Sequence, residues 1–236
     1  PRFYKLDRFL FRRLSQKIWS RASYVVANSE DLKKLANESF GGDIAVIPNG
    51  VDTEEFKPNK ENIIQDKIKL ISTGRLIARK GYQYLIPALK NMKDFELTLV
   101  GDGDMREELE QIANKNNVKV KFVGSVDHHK IVEYLQNSNI FILPSLNEGM
   151  SNSILEAMAC GLPVVTTNTG GSKCLVQDNG FIIKAKNSES IKIALAKYQK
   201  NTDLILKHSK KSRDIALSMG WKKVTKRYLE IYNELA

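Results

Sequence analysis

IKLISTGRLIARKGYQYLIPALKNMKDFELTLVG (residues 68–101) is the stretch that decides the fold. Ile68 to Gly74 is a short β-rich run that breaks at a glycine, and Tyr82 to Lys93 carries apolar residues at helical spacing. Phe95 to Gly101 is then β-rich again, closed by another glycine. A strand, a helix and a second strand in about thirty residues make one βαβ unit, whose crossover is right-handed.

The pattern continues on both sides. Asp104 to Asn116 reads as a helix with Asp104 as its N-cap, Val118 to Gly124 as a strand, and Asp127 as the cap of a helix to about Asn137. Ile140 to Pro144 is apolar throughout, as a strand covered on both faces must be. Ser151 to Cys160 is a short helix stopped by Gly161, followed by strands Pro163 to Thr167 and Gly180 to Lys184. Strand and helix alternating in short steps predict an α/β fold, a doubly wound parallel sheet of the Rossmann type.

Upstream, Tyr24 to Ala27, a helix from Ser29 to about Glu38, and Ile44 to Ile47 form a strand–helix–strand set ended by Pro48-Asn-Gly-Val. That set is too small to be a Rossmann domain and reads as the tail of one. The expected divisions are residues 1–56 for this remnant, a polar linker over 57–67, the main domain over 68–218, and a final helix over 219–236. In that helix Trp221, Val224, Tyr228, Ile231, Tyr232 and Leu235 recur at helical spacing. They suit packing on the remnant, on the main sheet, or on both.

The 236 residues carry 42% hydrophobic and 27% charged side chains, which excludes wholesale disorder. No apolar run approaches a membrane span, and no signal peptide opens the chain. Two cysteines, Cys160 and Cys174, form no CxxC and suit a reducing cytoplasm. The net charge of +10 is uneven. Residues 1–21 hold seven basic side chains against one acidic, residues 184–236 thirteen against five, and the body between them is slightly acidic. A nucleic-acid partner would need basic residues interleaved with aromatics on the sheet, so that reading is set aside. Residues 1–21 also place Phe3, Leu6, Leu10, Phe11, Leu14 and Ile18 on one stripe with Lys5, Arg8 and Arg12 opposite. Such a helix suits either an anionic membrane surface or a core-facing position with its basic side solvated.

In doubly wound sheets, ligands bind at the carboxyl ends of the strands. There Gly74-Arg-Leu-Ile-Ala-Arg-Lys-Gly81 offers two cations, Arg75 and Lys80, beside an opening helix, a pairing suited to a diphosphate or simply a solvated basic loop. It lacks the Gly-Lys-Ser/Thr of a P-loop. Glu148-Gly-Met-Ser-Asn-Ser-Ile-Leu-Glu156 puts one carboxylate in a strand–helix loop and another inside the helix. Ser151, Asn152 and Ser153 lie at the helix start, where free N–H groups favour an anion. Glu156 would then be available to a diol such as a ribose. Asn168-Thr-Gly-Gly-Ser172 is a turn able to bring backbone amides to a ligand or merely a tight turn. Gly101-Asp-Gly-Asp-Met-Arg106 lacks the third glycine of a dinucleotide fingerprint.

In order, PNGVD (48–52), GRLIARKG (74–81), VGDG (100–103), FVGSV (122–126), EGMSNSILEAMACGLPVV (148–165) and TGG (169–171) resemble the nucleotide-sugar-binding half of GT-B glycosyltransferases, and family 4 most of all. The resemblance runs from about Tyr24, and its most specific element is the pair of glutamates separated by seven residues. It implies a C-terminal GT-B domain, with a remnant of the N-terminal domain, that transfers sugar with retention from a nucleotide diphosphate sugar such as a UDP-sugar. The acceptor would be a glycan or a lipid-linked molecule of polysaccharide or cell-envelope synthesis, and the setting a cytoplasmic or peripheral membrane one.

By the same resemblance, Arg75 and Lys80 neutralise the diphosphate as it departs, and Glu148 contacts the donor sugar; these three are the catalytic candidates. Glu156 takes the ribose hydroxyls, Gly74 lets the backbone approach, Gly149, Met150, Ser151 and Asn152 hold phosphate or sugar, and Gly124 to Val126 the base. No cofactor or metal is implied, and His128, His129 and His208 make no ligand cluster with the cysteines. His128 and His129 read as surface or capping residues. The family often shows Pro-Glu after Gly-Gly, whereas this chain has Ser172-Lys173-Cys174, where Cys174 reads as a small buried side chain. Family members also carry a full N-terminal domain that binds the acceptor, so this chain is expected to bind nucleotide but not to turn over alone. A GT-B-like nucleotide-sugar epimerase and a non-catalytic nucleotide-sugar-binding module are the alternatives.

Overall fold

The computed structural model describes residues 13–38, 41–59, 64 and 66–235. Of the stripe expected in residues 1–21, Phe3, Leu6, Leu10 and Phe11 lie outside the described residues. Residues 13–19 are helical (α1), with Leu14 and Ile18 exposed. There follow β1 (Val26–Ala27), α2 (Glu30–Asn37) and β2 (Ala45–Val46), the two strands pairing in parallel. Ser29 caps α2 as expected for a serine at a helix start, accepting the Leu32 amide through its hydroxyl at 3.3 Å.

The main sheet comprises β3 (Ile68–Thr73), β4 (Phe95–Val100), β5 (Val120–Gly124), β6 (Ile140–Leu143), β7 (Val164–Thr167) and β8 (Gly180–Ile183). The helices between and after them are α3 (Tyr82–Ala88), α4 (Arg106–Asn116), α5 (His128–Gln136), α6 (Asn152–Ala159), α7 (Ser172–Leu175), α8 (Ser188–Lys200), α9 (Asp203–Ser218) and α10 (Trp221–Leu235). All six strands are parallel in the order β5-β4-β3-β6-β7-β8. This is the doubly wound sheet that the sequence predicts. Leaving β3 the chain moves one way, to β4 and β5, and after β5 it returns to β6 on the other side of β3. Right-handed crossovers then put α3 and α4 on one face and α5 and α6 on the other. Accordingly α3 packs against α4 and α8, and α6 against α9. The strands β6 (Ile-Phe-Ile-Leu) and β7 are wholly buried. No described helix is long and apolar enough to cross a membrane.

Two helix boundaries and one capping bond depart from expectation. α3 stops at Ala88, not Lys93: Pro87 lies in its last turn, and the chain after it tightens into i→i+3 bonds, Leu89 to Ile86 and Lys90 to Pro87. α4 starts at Arg106 with Met105 in the cap position, so Asp104 caps nothing. The neighbouring Asp102 instead accepts the Gly103 amide at 2.8 Å. Asp127 holds the cap position of α5, but its side chain takes no amide there.

The last helix leans on the first unit. The Trp221 amide donates to the Val51 carbonyl at 3.2 Å, and the Arg227 guanidinium donates to the Val46 carbonyl at 2.9 Å. Tyr228 lines an apolar pocket with Trp19, Val25, Leu32 and Ile44. Of the six stripe residues only Val224 is fully buried.

Candidate functional site

Strand order fixes the site. β3 and β6 are neighbours whose outgoing connections part to opposite faces, so the loops that follow them flank one crevice. Lys80, at the end of the first loop, lies in a short 3-10 turn (Ala78–Lys80). Glu148 lies in the second. Their side chains meet, with Nζ 2.8 Å from Oε1, at side-chain exposures of 11% and 10%. The Ser145 hydroxyl donates to the same oxygen at 2.8 Å. Glu148 Oε2 takes neither bond. Gly74 follows β3 directly and lies beside this pair: a Cβ built on it would lie 3.5 Å from Lys80 Cε. Arg75 next to it is exposed. Beneath the pair lies the buried phenol of Tyr82, bonded to the Ser72 hydroxyl at 3.2 Å. Burial pushes its pKa to about 12, and the Glu148 charge acts in the same direction.

Beyond Glu148 the chain passes Gly149 and Met150 and enters α6 with Ser151 in the cap position. The Ser151 side chain bonds to Ser153 Oγ (2.9 Å) and caps no amide, so the first N–H groups of α6 are not taken by it. Gly170 closes over this loop. Its φ is +51°, and a Cβ there would fall 2.0 Å from the Glu148 carbonyl oxygen and 2.3 Å from that of Gly149. The Gly171 amide donates to the Gly149 carbonyl at 2.9 Å. The Gly-Gly turn therefore braces the loop from behind.

Glu156 sits one turn into α6. Burial pushes its carboxyl above the usual carboxylate range, opposed by a contact with His128, whose Nε2 is 3.0 Å from Glu156 Oε1. Glu156 is thus already engaged, not free as the sequence suggests. His128 is the first residue of α5, reached from β5 through Gly124 and Val126, so this contact links the 124–126 loop to Glu156. Gly124 pairs with Gly101, which donates its amide at 2.8 Å, and Val126 packs against the core. His128 is half-exposed and its ring also leans on Phe56, while His129 is exposed and sits 2.7 Å from Glu55. Cys174 is exposed, contrary to expectation: in the one-turn helix α7, Ser172 and Leu175 share the buried side and Cys174 does not. Among the described residues no group of three or more His, Cys, Asp or Glu side chains is disposed to hold a metal ion.

Three contributors escape the sequence reading. Ser145 lies three residues before Glu148, a short spacing that offered a signal. His128 touches Glu156 from 28 residues away. Asn49, in the Pro-Asn-Gly-Val stretch that ends the first unit and belongs to the family resemblance but carries no assigned contact there, reaches Met150 and Asn152 at a separation of 101 and 103 residues. Together the crevice offers a half-screened cation, a helix start hospitable to an anion, and two carboxylates able to accept hydroxyl groups. That combination suits an anionic, hydroxyl-rich molecule.

The family of group 1 glycosyl transferases matches residues 53–215, and the glycosyltransferase family 4 model matches residues 2–55. An uncharacterized glycosyltransferase of Methanocaldococcus jannaschii is 33% identical over 98% of this chain and 63% of its own length. The UDP-Gal:alpha-D-GlcNAc-diphosphoundecaprenol alpha-1,3-galactosyltransferase of Escherichia coli is 34% identical over 65% of this chain and 44% of its own. This chain therefore spans less than two thirds of the length of either relative. Among solved structures, Anabaena HepE in complex with UDP and glucose superposes with a TM-score of 0.82 at 25% identity, over 95% of this chain and 66% of that one. Sucrose-phosphate synthase from Thermosynechococcus elongatus gives 0.87 at 23% identity, over 95% and 61%, a likeness of fold.

Proposed function

This chain belongs to the group 1 glycosyl transferases, and on that premise we propose that it is the donor-binding part of a retaining glycosyltransferase. It takes a sugar from a nucleotide diphosphate sugar for transfer to a glycan or lipid-linked acceptor, in polysaccharide or cell-envelope synthesis. The observation that carries the reading is the buried Lys80–Glu148 pair at the sheet's switch point, next to the open start of α6. The complex of the HepE neighbour with UDP and glucose supports a nucleotide-sugar donor, and the E. coli relative's name supports a lipid-linked acceptor.

In this reading Lys80 and the exposed Arg75 meet the diphosphate and the charge that grows on it as the sugar leaves, with no metal required. A cation held by the fold needs no reorganisation at that moment, which is why such groups stabilise transition states efficiently. Glu148 keeps Oε1 on Lys80 and Ser145 and turns Oε2 to the sugar hydroxyls. The α6 start, with Gly149, Met150, Ser151 and Asn152, holds phosphate or sugar. Glu156 exchanges His128 for the ribose diol, and the loop from Gly124 to Val126 meets the base.

Calorimetric titration with UDP-, GDP- and ADP-sugars tests this. One of the three is expected to bind, more weakly in Glu156→Ala and Lys80→Ala. Absence of binding by all three, or binding indifferent to both substitutions, overturns the assignment.

A further inference from the structure

Asn49 lies in the loop after β2, outside both sheets, and yet grips the candidate site. Its side-chain amide donates to Asn152 Oδ1 at 2.8 Å and, more weakly, to the Met150 carbonyl at 3.4 Å. Its backbone N–H donates to the Met150 sulfur at 3.1 Å. Its side-chain oxygen, Oδ1, accepts from Asn28 Nδ2 at 3.2 Å, which anchors the group to the residue that follows β1. Met150 and Asn152 flank Ser151, the cap of α6. One amide therefore holds both sides of the point where the first N–H groups of α6 are directed.

The loop that carries Asn49 cannot retreat. Gly50 lies flat against the Trp221 indole, close enough that a Cβ would fall 2.6 Å from two ring carbons. Val51 donates its amide to the Met219 carbonyl at 3.1 Å and accepts that of Trp221 at 3.2 Å. From the other side the Gly-Gly turn braces the same site loop. The α6 start is thus clamped between two rigid backings, and Asn49 is the polar contact on one of them.

We propose that Asn49 is a positioning residue for the donor: it does not touch the nucleotide sugar but aims the α6 amides and the Asn152 side chain at it. This rests on the donor-site reading above. Geometry at a helix start is worth preserving, because amide donors lose their hold on an anion as they tilt away from it. The same side chain joins Asn28 to Asn152, so the position of the first strand–helix–strand unit and the occupancy of the donor site become linked, each biasing the other.

The test is a double-mutant cycle on the full chain, with Asn49→Ala, Asn152→Ala and the double variant titrated calorimetrically with UDP, GDP and ADP. Loss of a hydrogen bond that orders a site is a several-fold effect on affinity. Asn49→Ala is expected to raise the Kd of the nucleotide that binds about threefold or more, at unchanged stoichiometry, and to do less in the Asn152→Ala background. A purely structural role would lower the stoichiometry and leave the Kd alone. That result, a Kd within about threefold of wild type, or an equal effect in both backgrounds would overturn the inference while leaving the donor site standing. Wild-type chain that binds none of the three nucleotides overturns both.

Discussion

Lys80 Nζ and Glu148 Oε1 stand 2.8 Å apart across the gap between two loops that are 68 residues apart in sequence, and both side chains are almost wholly buried. The contact exists because β3 and β6 are neighbours and their outgoing chains part. A charge in such a place is tolerated only when paired, and the pair holds a cation and a carboxylate in one crevice without letting either collapse onto the sheet.

Removing one partner leaves the other buried and alone. Lys80→Met is therefore expected to lower unfolding stability by ~3–5 kcal/mol, and Lys80→Met/Glu148→Gln by clearly less. Urea denaturation measures both. A single variant that costs no more than the double would show that the pair is solvated in solution.

Gly170 tests the brace. A methyl group there would strike the Glu148 and Gly149 carbonyls, and backbone cannot swing aside as a side chain can. Gly170→Ala is expected to displace the site loop and weaken nucleotide binding by about tenfold or more, a cost of roughly 1.4 kcal/mol or above. Gly41→Ala is the control, since its φ is +68° but nothing lies within 4 Å of the added carbon. That variant carries about 1 kcal/mol of backbone strain and should bind nucleotide normally.

The alternation of strand and helix was legible because each element carries its own period, and the Glu148–Glu156 block because its residues are consecutive. Strand order was not, since pairing of β3 with β6 depends on a crossover sense and not on any local signal. For the same reason the contacts of Asn49 with Asn152 and of His128 with Glu156 stayed hidden: each joins residues on separate elements. Misread details were local ones where tertiary context prevailed. The chain tightened into i→i+3 turns at the end of α3, and the buried side of α7 went to Ser172 and Leu175, leaving Cys174 outside.

Glu156 is held above the usual carboxylate range by burial, so its ionised form is disfavoured in the folded chain. The folded pKa is raised, so the penalty acts at pH 7 and is relieved as pH falls through that raised value. Glu156→Gln removes it and should be at least as stable as wild type at pH 7.5 by thermal unfolding. Its nucleotide binding should nevertheless weaken, because an amide accepts diol hydrogen bonds less strongly than a carboxylate. A marked loss of stability in this variant would mean that the His128 contact, not burial, dominates at this position.

His208 makes an opposite pH dependence in the distant polar core between α8 and α9. It is buried against Tyr198, whose hydroxyl lies 2.9 Å from Nδ1, and burial together with Lys207 lowers its pKa, while Asp178 opposes. The folded ring stays neutral where the unfolded one takes a proton. Its share of stability is therefore complete above about pH 6.5, the ordinary imidazole value, and is lost progressively as pH falls below it. Thermal midpoints from pH 7.5 to 5.5 should fall more steeply in wild type than in His208→Gln; parallel slopes would sink the assignment.

Arg213 secures the far end of α6, the helix whose near end lies in the candidate site. From α9 its guanidinium donates to the Ala159 carbonyl at 2.7 Å, in the last turn of α6. It also donates to the Phe56 carbonyl at 2.9 Å and the Thr53 carbonyl at 3.0 Å, in the stretch that follows the Asn49 loop. A cation there complements the negative end of the α6 dipole, and its planar fork serves three acceptors that one ammonium could not reach in the same geometry. Arg213→Lys should therefore keep the charge yet lose most of the effect. Both Arg213→Lys and Arg213→Met are expected to lower stability by ~2–4 kcal/mol, since a charge-assisted bond contributes about 1.5–3 kcal/mol and each lost bond strands a carbonyl. If urea denaturation finds Arg213→Lys indistinguishable from wild type, charge alone suffices and the three-carbonyl clamp is not what fixes α6.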